Sequence, residues 1–331
     1  MSDYYIEIAY IHFTIKDEER GINSMIYTVT LNPALDYFVT LDKEPIDDEV
    51  NRATSCSYKA AGKGLNVSKI LSILGIPSKA IALLGGFTGK YIQEQIAKDK
   101  NIEMVDFQVQ GDNRINVKLH YNSKALCVNG NGPEVSKQVK QALLDYFNNI
   151  NKDDYVIISG SMMRGFTLDD IIDISKVVNS RGGKLVNDME QISIDQLLAC
   201  DPWLIKPNFY EFSLLLEKPN MKKEDLEEYL MKAHDRGIGN TLLSLGKDGA
   251  VYSTKDKNYY LQQPNTLLVN KVGAGDAMLA SFVGKISMNS SIEEALRYAG
   301  AAGNAVASTL QDISLQDIEN YYKQMNVITK G

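Results

Sequence analysis

Short runs of aliphatic and β-branched residues alternate with amphipathic stretches along most of this chain. That alternation fixes the fold class before any single residue does. Residues 26–31 (IYTVTL), 79–84, 155–159, 184–187, 203–205 and 241–244 read as strands. They lack the every-second-residue pattern of a half-wet sheet, so they are expected to be covered on both faces. Between them lie helical segments near 62–74, 88–98, 134–149, 168–180, 191–199, 208–216 and 223–236. Helices near 276–287, 291–309 and 314–325 close the chain. The segment 62–74 sets Leu65, Ile70, Leu71 and Leu74 on one side and stops at Gly75 and Pro77. Alternation at this spacing predicts an α/β protein: a mostly parallel central sheet between two helix layers, with ligands at the carboxyl ends of the strands.

Two regions fit poorly into such a core. Residues 37–59 alternate in part, through Tyr37, Val39 and Leu41, and residues 114–129 do so through Arg114–Ile115–Asn116–Val117–Lys118–Leu119. Both read as strands with one wet face, and they are expected together as a small β lid over the carboxyl edge. Residues 251–253 and 259–262 read as a hairpin. The first 24 residues lack the basic start and small-residue cleavage site of a signal peptide and are read as an extension outside the fold. The expected organisation is an extension over 1–24, one domain over 25–325 and a tail over 326–331. There is no internal repeat.

Composition narrows the partners. The 331 residues carry a net charge of −7, are 44% hydrophobic and 23% charged, and contain no run of apolar residues long enough to span a membrane. An acidic balance of this size argues against nucleic acid or an anionic membrane as the main partner. Cys56, Cys127 and Cys200 form no metal spacing and suit a reducing compartment, the cytoplasm. His12, His120 and His234 are isolated.

The chemistry concentrates in a few stretches. Val272–Gly273–Ala274–Gly275–Asp276 opens a helix with glycines and an acid. Such a start aims backbone N–H groups at an anion, and phosphate is the natural one. A carboxylate there either caps the helix or takes the proton from a hydroxyl that attacks the phosphate. Ala61–Gly62–Lys63–Gly64–Leu65–Asn66 opens a second helix with a lysine added, either a solvent lysine or a phosphate ligand. Arg114, Asn116 and Lys118 share one strand face, solvated or ligand-facing. Asn208 and Glu211 are spaced as a capping pair or as organisers of Mg²⁺ and its waters. Two familiar phosphate motifs are excluded. Gly86–Phe87–Thr88–Gly89–Lys90–Tyr91 has the wrong spacing for a P-loop, and Met278 stands where a dinucleotide fingerprint needs its third glycine.

Taken in order, these stretches resemble the PfkB, or ribokinase-like, sugar kinases, which carry G-G-K-G-x-N-V, N-x-x-E and G-A-G-D elements in this sequence. The resemblance runs from Met25 to about residue 325, and it extends to Thr28–Asp36, Gly85–Gly89 and Asn129–Glu134. Within the family it is nearest the members that phosphorylate a ketose phosphate. It implies a three-layer α/β/α sandwich with a β lid, using ATP and Mg²⁺ to phosphorylate fructose 1-phosphate at O6. Tagatose 6-phosphate as substrate, or an inactive sugar-phosphate binder, are the alternatives. Asp276 would be the base, with the Gly273, Ala274, Gly275 and Asp276 backbone as anion hole. Asp36, Gly62, Lys63, Asn66, Arg114, Asn116, Lys118 and Ser161 would hold the sugar phosphate. Lys206, Asn208, Glu211, Ser244, Gly246, Gly249 and Asn304 would serve ATP, with Glu211 reaching Mg²⁺ through water. Lid-to-lid homodimers are common in the family, so a homodimer is expected. This chain departs from the pattern at Ala61, at Met162–Met163, and at Val186–Asn187–Asp188–Met189–Glu190, where D-x-S/T-G is usual.

Overall fold

The computed structural model describes residues 24–190, 192–269 and 272–330. The extension read over 1–24 therefore lies outside the described residues except for Ser24. Ten strands form the main sheet in the order β14-β13-β12-β11-β10-β9-β8-β1-β4-β5. The strands are β1 (Ile26–Thr30), β4 (Ser78–Leu84), β5 (Ile102–Gln108), β8 (Tyr155–Gly160), β9 (Lys184–Met189), β10 (Leu204–Ile205), β11 (Thr241–Ser244), β12 (Ala250–Ser253), β13 (Asn258–Gln262) and β14 (Asn326–Lys330). From β5 to β11 every pairing is parallel, and β11 to β14 pair antiparallel. The expected α/β/α sandwich is present.

Period-2 geometry explains the two cores. In β1, Ile26 packs with Ile157, Val186 and Leu242 on one face. Tyr27 and Val29 pack with Val156, Ile158 and Leu185 on the other. Adjacent residues point to opposite faces, so a strand apolar at every position needs cover on both sides. The first face is covered by α1 (Lys63–Ile73), α8 (Ala274–Ser287) and α9 (Ile292–Ala307), through Val67, Leu71, Phe282 and Leu296. The second is covered by α3 (Lys137–Tyr146) and α4 (Leu168–Ser180), through Leu143, Ile171, Ile174 and Val178. Further along that face, α6 (Phe209–Leu215) and α7 (Leu226–Asp235) add Phe212 and Leu230. Helix α2 (Gly86–Ile96) packs Ile92 against Ala80, Ala82 and Leu84. The remaining helices are α5 (Ile194–Cys200) and α10 (Leu315–Tyr322). Each fully buried Leu, Ile or Phe contributes roughly 1.5–3 kcal/mol of transfer free energy.

The second sheet has four strands, β3-β2-β6-β7: β2 (Ala34–Thr40), β3 (Ser55–Ala61), β6 (Arg114–Tyr121) and β7 (Lys124–Asn129). The segments read as 37–59 and 114–129 thus form one sheet, but the first begins at Ala34 and ends at Ala61. Asp36 lies within β2. The register places Tyr58, Tyr37, Val117 and Val128 in one cross-strand row, and Cys56, Val39, Leu119 and Leu126 in another row on the same face. The opposite face carries Asp36, Arg114, Asn116, Lys118, His120 and Asn129. One face is therefore mainly apolar and the other, where Phe38 and Cys127 also lie, mainly polar.

Two elements depart from the sequence reading. Strand β5 was not expected, because Glu103 and Asp106 interrupt its apolar positions. The segment read as a tail, 326–331, supplies β14, which pairs Val327 with Leu261 and Ile328 with Tyr260 at the sheet edge. Among the described residues, no helix is long and apolar enough to cross a membrane.

Candidate active site

Strands β1, β8, β9, β10 and β11 run parallel, so their carboxyl ends lie along one edge. Onto that edge they deliver Asn32, Ser161, Asp188 with Glu190, Lys206 and Ser244 in turn. The lid's polar face adds Arg114 and Asn129, and the start of α1 adds Gly62 and Lys63. Together Thr30, Asn32, Gly62, Lys63, Arg114, Asn129, Ser159, Gly160, Ser161 and Glu190 line a cavity of about 120 Å³.

Helix α1 can start there only because of its glycines. Gly62 has φ 146°, and a Cβ on it would stand 2.5 Å from the Thr30 Cγ2. A Cβ on Gly64 would stand 2.5 Å from Thr30 Oγ1 and 2.8 Å from the Val29 carbonyl oxygen. The helix end therefore sits directly on β1, and this sets the positions of Lys63 and Asn66. Ala61, which replaces a glycine of the usual motif, pairs with Ala34 as the last residue of β3.

Asp276 lies in the first turn of α8, after Gly273 in the left-handed region at φ 84°. Its side chain is buried, and its Oδ2 accepts a hydrogen bond from Asn66 Nδ2 at 2.8 Å. Burial pushes its pKa up to about 6, and the charge of Asp188 adds to this against the pull of Asn66, Lys206 and Lys63. A carboxylate poised there is ionised near neutral pH and still basic enough to take a proton. Lys206 Nζ lies 3.3 Å from where a Cβ on Gly275 would be, so the ammonium flanks the turn between Gly273 and Asp276. Cation, helix start and carboxylate thus converge at one point.

Lys206 is buried and pairs with Asp188 at 3.1 Å. Lys63 pairs with Glu190 at 3.3 Å and with Asp188 at 3.9 Å. Burial disfavours the Lys63 ammonium, but the charges of Asp188 and Glu190 outweigh it and raise the pKa. For Asp188 burial dominates and raises the pKa, against Lys206 and Lys63. On the lid, Asn116 Nδ2 donates to Asp36 Oδ1 at 2.7 Å and Lys118 Nζ to Asn129 Oδ1 at 3.4 Å. Arg114 donates from Nε and Nη2 to the Asn32 carbonyl at 3.3 and 3.1 Å. Ser161 Oγ accepts from Asn32 Nδ2 at 3.3 Å. Buried polar atoms without a hydrogen-bond partner include Asn32 Oδ1, Asn116 Oδ1, Ser159 Oγ, Asn187 Nδ2 and Asp188 Oδ2. Such atoms carry a desolvation cost that a polar ligand can relieve.

On the other side of Lys206, Asn208 and Glu211 form a reciprocal capping box. Glu211 N donates to Asn208 Oδ1 at 2.9 Å, and Asn208 N to Glu211 Oε2 at 2.8 Å. The capping role weighed in the sequence is present, and it occupies only one Glu211 oxygen. Ser244 bridges to Asn208. Gly246 and Gly249 turn the chain at φ 64° and 93°. Gln263 ties this turn to α9: its Nε2 donates to the Gly246 carbonyl at 2.9 Å, and its Oε1 accepts from Asn304 Nδ2 at 2.8 Å. Asn304 Oδ1 also accepts from Thr266 at 2.7 Å. Of the residues expected at the sugar site, Gly62, Lys63, Arg114 and Ser161 line the cavity and Asn66 reaches Asp276, whereas Asp36, Asn116 and Lys118 lie along the lid's polar face outside the cavity lining; those expected at the nucleotide site cluster around Asn208 and Gln263. Sequence reading passed over Asn32, Asn129, Ser159, Gln263 and Thr266. It noted Asp188 and Glu190 only as departures from a motif. Among the described residues, no group of three or more His, Cys, Asp or Glu side chains could cage a metal. A Mg²⁺ that keeps most of its water and meets one carboxylate, Glu211, fits these donors.

Comparison with known proteins bears on the family and the fold. A family model described as pfkB family carbohydrate kinase matches residues 29–318. The chain is 36% identical over 297 residues to the D-tagatose-1-phosphate kinase of Bacillus licheniformis, covering 88% of this chain and 96% of that one. It is 33% identical over 283 residues to the 1-phosphofructokinase of Bacillus subtilis, covering 86% and 92%. The structure of phosphofructokinase-2 from Escherichia coli in complex with fructose-6-phosphate superposes with a TM-score of 0.82 at 25% identity, covering 91% of this chain and 98% of that one.

Proposed function

We propose a specific reaction for this chain, which belongs to the pfkB family of carbohydrate kinases: transfer of the γ-phosphoryl group of ATP to O6 of fructose 1-phosphate. The observation that carries the reading is the meeting of Asp276, Lys206 and the α8 start, tied through Asn66 and Asp188 to the start of α1, whose Lys63 lines a cavity together with Arg114. A substrate that already bears a phosphate needs cations at the far end of its pocket, and Lys63 and Arg114 supply them. Its hydroxyl would point at Asp276. As O6 attacks phosphorus, its proton passes to Asp276 and the bond to the ADP oxygen breaks. The N–H groups of the α8 first turn and Lys206 stabilise the moving charge. Asp36, Asn116 and Asn66 would orient the sugar. Lys206, Asn208, Ser244, Gly246, Gly249 and Asn304 would line the nucleotide site. Mg²⁺, carried with ATP and touched through water by Glu211, would neutralise the phosphates when bound.

A second substrate, D-tagatose 1-phosphate, is favoured by the relative from Bacillus licheniformis, whose name specifies it. It carries its phosphate at the same end of the sugar. A coupled ADP-release assay over fructose 1-phosphate, tagatose 1-phosphate, fructose 6-phosphate and tagatose 6-phosphate ranks them by kcat/KM. Absence of turnover with all four would overturn the reading.

The setting proposed is the cytoplasm, where ATP and sugar phosphates occur, and the assembly a homodimer through the lid. On the lid's apolar face Leu126, Val128 and Tyr58 are 49%, 55% and 53% exposed. An apolar sheet face left this exposed invites cover by another chain. A second copy would cover it by two-fold symmetry.

A further inference from the structure

Asp188 has no part in the reaction as written, yet it sits at its centre. It is the penultimate residue of β9 and is 5% exposed. Its Oδ1 holds Lys206 at 3.1 Å. Its Oδ2 faces Lys63 at 3.9 Å, close enough for an ion pair but too far for a hydrogen bond, and is left without a hydrogen-bond partner. A buried carboxylate ordinarily gathers donors on both oxygens. This one spans two ammonium groups that arrive from opposite directions, Lys63 from the start of α1 and Lys206 from the turn after β10.

We propose that Asp188 is a positioning residue that couples the two halves of the site, its carboxylate holding the sugar-side lysine and the phosphoryl-side lysine in register. The inference rests on the roles given above to Lys63 and Lys206. Before substrates arrive, Asp188 keeps two cations from repelling each other across a buried space. When the phosphates arrive they compete with Asp188 for the same ammonium groups. The carboxylate therefore weakens ground-state binding of both substrates while keeping both lysines where the transition state needs them. It also acts on the base. The groups whose charge reaches Asp276 are Asp188 on β9, Lys206 after β10 and Lys63 on α1, with Asn66 as a neutral donor. Removing Asp188 takes one anion from that set and leaves Lys206 uncompensated. Both changes favour the ionised base.

The test uses the full-length protein and Asp188→Asn, which keeps the shape and removes the charge. Binding is measured calorimetrically for fructose 1-phosphate alone and for a non-hydrolysable ATP analogue with Mg²⁺ alone. The expected result is severalfold tighter binding of each ligand, with kcat reduced about tenfold or more. The acid limb of kcat/KM should also move to lower pH by about half a unit or more. Asp188→Glu keeps the charge, so its acid limb should stay at the wild-type position. Should Asp188→Asn not fold, Asp188→Ser removes the same charge with a smaller side chain. Tighter binding of only one ligand, weaker binding of both, or an acid limb that does not move would overturn the coupling. A wild type that turns over no ketose phosphate would instead overturn the functional reading beneath it.

Discussion

Replacing Asp276 with asparagine should cost activity and add stability, and the size of both effects can be worked from the structure. The carboxyl ordinarily releases its proton near pH 3.8 and here near 6. Between those values the unfolded chain has lost the proton and the folded chain keeps it. Stability therefore falls as pH rises from about 4 to 6, and above 6 the full penalty is present. A difference of roughly two pH units at about 1.4 kcal/mol each gives about 3 kcal/mol. Asparagine has no charge to bury and can still accept the bond from Asn66 through its carbonyl oxygen. Asp276→Asn should thus be more stable than the wild type at pH 7.5, by up to about 3 kcal/mol, and lose that advantage near pH 4. Comparing the two proteins at each pH cancels the titration of every other group. Its kcat should fall by about 10²–10⁴-fold, because the base is gone, while ATP affinity changes little. Urea denaturation at pH 4 and 7.5, with the coupled assay at pH 7.5, reads both. A variant that keeps half the activity would remove Asp276 from the base role. A variant less stable than wild type at pH 7.5 would show that the buried charge is not penalised.

Gly64→Ala should destabilise the protein by about 1–3 kcal/mol and raise KM for the sugar phosphate, since the added methyl pushes α1 off β1; an unchanged melting temperature would contradict the contact. Leu126→Lys or Val128→Lys on the apolar face of the lid should give a monomer in sedimentation, with weakened sugar-phosphate binding and retained ATP binding. A full-activity monomer of the native chain would refute the lid dimer. Deleting residues 1–24 should change neither melting temperature nor turnover, because the domain start is tied down at Met25, whose N–H donates to Asp154 at 2.8 Å; a clear loss of stability would move the boundary.

How far the sequence could be read depended on whether a residue's role was local. The run 26–31 announced a doubly covered strand because every side chain is apolar or small, and the G-A-G-D stretch announced a helix start because a helix terminus is a local property. Strand β5 was hidden, because Glu103 and Asp106 look like solvent residues until β4 is beside them. Strand β14 was hidden because Val327, Ile328 and Thr329 are too short a run at a chain end to outweigh a tail. Arg114, Asn116 and Lys118 were visible as one face, but that Arg114 alone of the three lines the cavity emerges only when β6 lies beside β2. Asp188 was visible as a motif departure, yet its partners lie 125 residues before it and 18 after it. No local pattern encodes that meeting.

The pleat of β6 has a consequence for how such a protein can change. Even-numbered positions from Arg114 to His120 share the face from which Arg114 lines the cavity, and odd-numbered ones from Ile115 to Tyr121 belong to the apolar face. One inserted or deleted residue in this strand would exchange the two sets wholesale. On the sugar site and lid dimer proposed above, substrate choice and self-association share a single reading frame. Drift toward a new sugar must proceed by substitution alone, at every second residue, with the intervening positions held apolar. Lineages with different ketose preferences should therefore vary at Asn116 and Lys118 before they vary in strand length.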